Sequence, residues 1–217
     1  MAQYFEIHPT HPQQRLIAAA AALVRAGGVI AYPTDSCYAF GCHVGDKAAM
    51  ERLRRIRDLD ERRHLTLVCR DLSEIALYAR VDNARYRLLR HLTPGAFTFI
   101  LAGTRELPRR LLHAKRKTIG VRVPDHPVTQ ALLAALGEPL LSATAVLPDD
   151  VQPAMDAHVI RERLERELDL VIDSGSCGVE PTTVIDLTGD VPVLLRRGKG
   201  DASELGLGTA VAGGERH

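Results

Sequence analysis

An α/β domain built on a mixed sheet is the fold class this chain predicts, and three observations carry it. Apolar segments of strand length alternate with amphipathic helical patterns from end to end. The 217 residues are 46% hydrophobic but only 4% aromatic, with no Trp, so the core that this length allows is aliphatic. No internal repeat and no shift in composition divides the chain, which makes one domain the economical reading.

The elements follow in order. Residues 13–26 read as a helix that stops at Gly27-Gly28. Residues 29–33 read as a strand buried on both faces, ended by Pro33, which has no N–H to give the sheet. Asp46 serves as N-cap to a helix that puts Ala49, Met50, Leu53 and Ile56 on one face. Strands are expected at 65–69, 97–102, 118–123, 140–145, 169–173, 183–187 and 192–196. Between them Asp71-Leu72-Ser73-Glu74 opens a helix, residues 125–136 form another that ends at Gly137, and 157–167 carry Arg and Glu at the i,i+4 spacing of a solvated helical face. From about Ala202 the sequence drifts into Gly, Ala and Ser, the pattern of a flexible tail over 201–217.

The most informative segment is the turn after the first buried strand. Thr34, Asp35 and Ser36 place two hydroxyls and a carboxylate where a sheet meets solvent, and Gly41 permits close backbone approach. Spacing alone supports two readings equally: a polar site at a strand end, or a turn whose hydroxyls bond their own backbone.

Charge and cysteine usage narrow the classes. A net charge of +1, from 28 basic and 27 acidic side chains, names no partner. Locally, Arg109, Arg110, Lys115, Arg116, Lys117 and Arg122 form a run with no acidic residue among them, a candidate RNA-binding patch beside its plain alternative, a solubilising surface. The arginines between 52 and 63 are interleaved with acids, and Arg196-Arg197-Gly198-Lys199 closes the last strand. Cys37, Cys42, Cys69 and Cys177 show no ligand spacing and read as reduced thiols of a cytoplasmic protein without a metal centre. The longest apolar run, Leu16 to Val24, falls far short of a membrane span. No P-loop, dinucleotide fingerprint, nucleophile elbow or aromatic RNA-binding strand occurs.

Five motifs then come in a fixed order: Pro33-Thr34-Asp35-Ser36-Cys37-Tyr38, Thr93-Pro94-Gly95-Ala96-Phe97-Thr98-Phe99, Val121-Arg122-Val123-Pro124-Asp125-His126-Pro127, Pro181-Thr182-Thr183-Val184-Ile185-Asp186 and Leu195-Arg196-Arg197-Gly198. In that order they resemble the YrdC-like domain family, over roughly residues 10–200, and within it the YciO branch. The resemblance implies a single-domain, twisted, open mixed sheet with a large concave, positively charged cavity. It also implies a nucleotidyltransferase reaction, L-threonine, bicarbonate and ATP giving L-threonylcarbamoyl-AMP and pyrophosphate for tRNA threonylcarbamoyladenosine. ATP and bicarbonate enter as substrates, Mg²⁺ accompanies ATP, and no cofactor is held permanently. The partners implied are ATP or AMP, L-threonine, structured RNA or tRNA, and a downstream tRNA-modifying complex, with no membrane.

Carried over by position, Ser36, with Thr34 beside it, holds threonine, while Thr98, Arg122, Thr182 and Arg196 contact threonine, phosphates or both. Taken singly, Thr98 reads equally as a strand residue and Arg196 as a surface arginine. Two departures stand against simple transfer. The Lys-x-Arg pair of typical synthases falls on Arg57-Asp58-Leu59, keeping one cation and losing the other, and Ser-x-Asn falls on Thr144-Ala145-Val146, keeping the hydroxyl and losing the amide. A His that helps hold threonine falls on Val68. Arg57 and Arg122 are then the catalytic cations, Thr144 keeps its hydroxyl at the site, and Arg62 or Arg63 stands in for the missing charge. Losing one such group removes roughly 2.7–4 kcal/mol on the scale of one oxyanion donor, which predicts a slow synthase. The alternative is a protein that binds double-stranded RNA or nucleotide without efficient chemistry.

Overall fold

The computed structural model describes residues 1–59, 65–113, 115–205 and 208–209. Along the chain these form β1 (Gln3–Glu6), α1 (Gln14–Arg25), β2 (Ile30–Tyr32), β3 (Ala39–His43), α2 (Lys47–Ile56), β4 (Thr66–Val68), α3 (Leu72–Tyr78), α4 (Asn83–Leu92), β5 (Phe97–Ala102), β6 (Thr118–Arg122), α5 (Pro127–Leu136), β7 (Leu140–Thr144), α6 (Ala157–Leu164), β8 (Leu170–Asp173), β9 (Thr183–Asp186), β10 (Val193–Arg196) and β11 (Gly208–Thr209).

All eleven strands belong to one open sheet in the order β1-β8-β2-β3-β7-β4-β6-β5-β9-β10-β11. The sheet is mixed: β2, β3, β7 and β4 pair antiparallel in succession, β4 and β6 run parallel, and β5 pairs antiparallel with β6 and parallel with β9.

Local chemistry sets the helix ends. Asp46 accepts from the Ala49 N–H at 2.9 Å, Asp71 from Glu74 and Asp82 from Arg85, each satisfying an orphan first-turn amide. Gly27, at φ +88°, and Gly137, at φ +76°, adopt the left-handed conformation that ends α1 and α5. The expected face of α2 is the observed one: Ala49, Met50, Leu53 and Ile56 are all buried.

Side chains alternate across the strands, so the two faces carry different cores. On one face Phe40, Leu67, Phe99, Val121, Leu141 and Ile185 pack against Leu53 of α2, Ile75 of α3, Leu89 of α4 and Ile160 of α6. On the other, Ile30, Tyr32, Leu140 and Leu170 pack under Ile17 and Val24 of α1 and Leu132 and Leu136 of α5. That second cluster ends at Val68 and Leu140. Beyond it the same face continues as Thr66, Gly120, Ile100, Thr98 and Val184, with Thr66, Ile100 and Val184 partly exposed. The site is assembled around this half of the face.

Candidate functional site

The β2–β3 loop is the scaffold of the site, and Thr34 ties it. Its hydroxyl donates to the Cys37 carbonyl at 2.6 Å and accepts from the Ser36 and Cys37 N–H groups at 3.2 and 3.3 Å. The turn reading is therefore correct for Thr34, whose capacity is largely spent on its own backbone. Thr129 of α5 fixes the base of the loop by donating to the Pro33 carbonyl. Gly178 presses on its far side, where a Cβ would lie 2.8 Å from the Ser36 carbonyl.

Into this loop reaches Arg122, from a strand four places along the sheet from β2. Its Nη2 donates to the Asp35 carboxylate, to Ser36 Oγ at 3.1 Å and to Thr34 Oγ1 at 3.5 Å. The Arg122 and Asp35 side chains are only 9% and 12% exposed, so this is an almost buried ion pair, and both partners need each other. Among the described residues Asp35 Oδ2 and Arg122 Nε have no hydrogen-bond partner. The pair is thus satisfied at one edge, while at the other one carboxylate oxygen and one guanidinium N–H lack a partner among the described residues.

A second group lies beside it. The β5–β6 register sets Thr98 next to Arg122. Thr98 Oγ1 and Thr182 Oγ1 share a hydrogen bond of 2.8 Å, and Arg196 donates to the Thr182 carbonyl through Nη2 at 2.9 Å and Nε at 3.2 Å. Arg196 is exposed as a residue, yet its guanidinium folds back onto Thr182, and desolvation lowers its pKa. Gly198 permits this return, because a Cβ there would lie 2.2 Å from the Pro181 carbonyl. Lys199 Nζ then donates to the Asp35 carbonyl, which joins the two groups.

The other expected residues are placed differently. Arg57, the residue after α2, donates to the Val146 carbonyl at 2.9 Å, and Thr144 pairs with Ala39 at the start of β3. They lie on the limb of the sheet that receives the β2–β3 loop, where Ala145 N–H bonds the Tyr38 carbonyl. Val68 is buried in the apolar cluster with Leu132. Arg63 lies outside the described residues, as does Arg62. Arg109, Arg110, Lys115, Arg116 and Lys117 are exposed on the connection from Ala102 to Thr118, the opposite end of the β5–β6 hairpin from Thr98 and Arg122. A concavity of about 590 Å³ lined by Arg80, Asp82, Arg85 and Leu187 contains none of the site residues.

Three contributors went unassigned in the sequence: Asp35 as the partner of Arg122, Lys199, and His126. The signal for Asp35 and His126 was a place inside a motif, and for Lys199 its place in the basic cluster that closes the last expected strand. His126 is half-buried at the head of α5, where burial lowers its pKa, Asp35 opposing and Arg122 reinforcing the shift. The thiols are suppressed as nucleophiles. Burial raises Cys37 and Cys69 and pushes Cys42 up to about 12 and Cys177 up to about 11. What the geometry offers is cations, hydroxyls and a carboxylate without an activated nucleophile, an arrangement suited to holding anions together.

Residues 22–198 match the family model Sua5_yciO_yrdC, described as Telomere recombination. The crystal structure of E. coli YciO is similar at 57% identity with a TM-score of 0.91, covering 94% of this chain and 98% of that one. P. abyssi Sua5 in complex with L-threonine superposes with a TM-score of 0.83 at 25% identity, over 90% of this chain and 57% of that longer one. A threonylcarbamoyl-AMP synthase of Stenotrophomonas maltophilia is 35% identical over 178 residues, 79% of this chain and 94% of that protein.

Proposed function

Because the chain belongs to the Sua5/YciO/YrdC family, we propose that it is a slow L-threonylcarbamoyladenylate synthase. The observation that carries this reading is the buried Arg122–Asp35 pair with Ser36 Oγ at 3.1 Å, half satisfied and next to a second cationic group. The threonine complex of P. abyssi Sua5 and the relation to threonylcarbamoyl-AMP synthases support L-threonine as the amino acid and ATP as the nucleotide.

In this reading the threonine amine captures carbon dioxide, supplied by bicarbonate, as a carbamate. A carbamate oxygen attacks the α-phosphorus of ATP, the bond to the β-phosphate oxygen breaks, and pyrophosphate leaves. Two anions must be brought together and the charge of the transition state offset, which is work for positioning and electrostatics. Arg122 and Ser36 hold the amino acid's carboxylate end, and Arg196, Thr98 and Thr182 take the phosphates. Arg57 and Thr144 stand on the limb next to the loop. Mg²⁺ arrives with the nucleotide as part of that substrate and neutralises phosphate oxygens. The reaction is slow because leucine and valine stand at positions 59 and 146, two residues after Arg57 and Thr144, in place of a second cation and an amide. The labile adenylate passes to a tRNA-modifying partner in the cytoplasm.

Pyrophosphate release tests the site. Arg122→Ala and Arg196→Ala should each lower the threonine-dependent rate by about 10²–10³; rates equal to the parent's would remove these residues from the site. A second reading has its own observation, the five exposed cations on the β5–β6 connection. They suit structured or double-stranded RNA held by charge, and retention that falls steeply with salt would support it. A flat salt response would end it.

A further inference from the structure

Two basic stretches lie on the side of the sheet away from the candidate site. Alternation along β5 separates the sides: Thr98 faces the site, whereas Phe97, Phe99 and Leu101 belong to the core under α3 and α4. Leu89 and Leu92 of α4 pack into that core, and so do Leu107 and Leu111 of the β5–β6 connection, so both segments roof the same side. Their outer surfaces are basic. Between Gly103 and Lys117 the chain carries six cations against one acid, Glu106. α4 carries three arginines and no acid.

Helical spacing sorts α4 into two faces. Leu89 and Leu92 are buried with Arg85 and Leu88 half-buried beside them, while Asn83, Tyr86, Arg87 and Arg90 are exposed, Tyr86 by 46%. The inner arginine is spent on structure: Arg85 pairs with the N-cap Asp82 and braces the Leu187 and Gly189 carbonyls at 2.7 and 2.9 Å. The outer ones are not. Arg90, in the last turn, offsets the helix dipole, but Arg87 stands in the middle of the helix and does not. None of the ion pairs among the described residues uses Arg80, Arg87 or Arg90. Arg80 joins the two stretches. Its N–H donates to the Ala102 carbonyl at 2.8 Å, Ala79 bridges Gly103, and the Gly103 N–H donates to the Lys117 carbonyl at 3.0 Å. The backbones of Arg80, Gly103 and Lys117 thus run side by side, and the basic surface continues from the connection through Arg80 onto α4.

We propose that this surface is an RNA-docking face: a double-helical RNA lies along α4 and the β5–β6 connection, on the back of the sheet from Arg122. The proposal rests on the RNA reading given above and deepens it, naming the helix that carries the contact and leaving the Arg122 group open while RNA is bound. It is independent of the synthase reading. Two features favour RNA over other polyanions. Arg87 and Arg90 lie one turn apart between Asn83 and Tyr86, so the arginines take phosphates while an amide and a phenol bond 2′-hydroxyls. No large aliphatic side chain of α4 is exposed, whereas a protein partner buries an apolar patch at the centre of its interface and a membrane takes up an apolar helix face.

Fluorescence anisotropy of a labelled RNA duplex of about 16 base pairs, titrated with the full chain at a series of salt concentrations, tests the face. Arg80→Gln, Arg87→Gln and Arg90→Gln together should flatten the plot of log affinity against log salt by about one unit per arginine. Threonine-dependent pyrophosphate release should stay at the parent's rate in that variant. Saturating Mg-ATP should leave the duplex bound, and Arg196→Ala should keep the parent's slope. An unchanged slope in the triple variant, displacement of the duplex by Mg-ATP, or no retention by the parent at low salt overturns the face. Polyglutamate of matched charge held as tightly as the duplex overturns it too, in favour of an acidic protein partner. A parent that shows the expected slopes and releases no pyrophosphate upholds the face and removes the synthase.

Discussion

Arg122→Ala should unfold the protein more readily as well as silence it, and the size of the effect follows from burial. The Arg122 and Asp35 side chains are 9% and 12% exposed, so removing the guanidinium strands a carboxylate that water barely reaches. Breaking a buried pair by deleting one partner costs roughly 3–5 kcal/mol. In a chain of this length each kcal/mol is worth about 2–4 °C, so the melting temperature should fall on the order of 10 °C. The contacts to Ser36 and Thr34 are lost with it, which loosens the β2–β3 loop. Deleting both charges tests the cause: Asp35→Asn with Arg122→Met should recover most of the loss, because a neutral amide and an apolar stem leave no stranded ion. Thermal unfolding followed by circular dichroism at neutral pH measures all three proteins. Arg122→Ala melting within about 1 °C of the parent, or a double variant no better than the single, would show that the pair does not anchor the loop.

Three further outcomes are expected. Gly198→Ala should displace Pro181 and Thr182, whose backbone atoms lie 2.2–2.7 Å from the added methyl; a cost of about 1–3 kcal/mol and a loss of activity exceeding the loss of folded protein are the measurements to make. His126, held below 6.5 by burial, takes up its proton less readily when folded, so stability is full above 6.5 and declines as pH falls below it. Melting curves between about pH 7 and 5 should show that decline, reduced in His126→Gln; an identical profile in the variant would remove His126 as its source. The four cysteines are free and their thiols raised by burial, so the folded protein should react with a maleimide far more slowly at neutral pH than the unfolded one.

Strong periodicity and punctuation made much of the fold legible. Phe97 to Ala102 is the expected strand to the residue, and Asp46 and Asp71 cap as expected. Four elements were not legible for physical reasons, among them β11, a two-residue strand that pairs parallel with β10 inside the stretch that reads as a flexible tail and carries no core-facing period. β1 is a four-residue edge strand that pairs only with β8, and its Gln and Glu ends carry no burial signal. β3 follows the hydroxyl turn so closely that Ala39 to His43 reads as its continuation; hydrogen bonding to β2 and β7 makes it a strand. α4 has low mean hydropathy, and its Asp82 cap was the available signal.

The site was legible as a set of residues and not as an arrangement. Ser36, Arg122, Thr98, Thr182 and Arg196 converge because their motifs lie at strand ends that the sheet order brings together. Thr34 illustrates the limit: hydroxyl spacing cannot distinguish a ligand contact from a turn bond, and the bond to Cys37 decides for the turn. Strand direction, which no local pattern encodes, sends Arg109 to Lys117 to the far end of the hairpin. Asp35 escaped assignment because a carboxylate in an anion site looks misplaced until its pairing with Arg122 is seen.

The central claim is threonine-dependent adenylate formation, and its most direct test is pyrophosphate release by the purified chain with ATP, Mg²⁺ and bicarbonate, with and without L-threonine, the product identified by mass spectrometry. Slow release that requires threonine and yields threonylcarbamoyl-AMP is the predicted result. No threonine-dependent release, with ATP or RNA still bound, would contradict it.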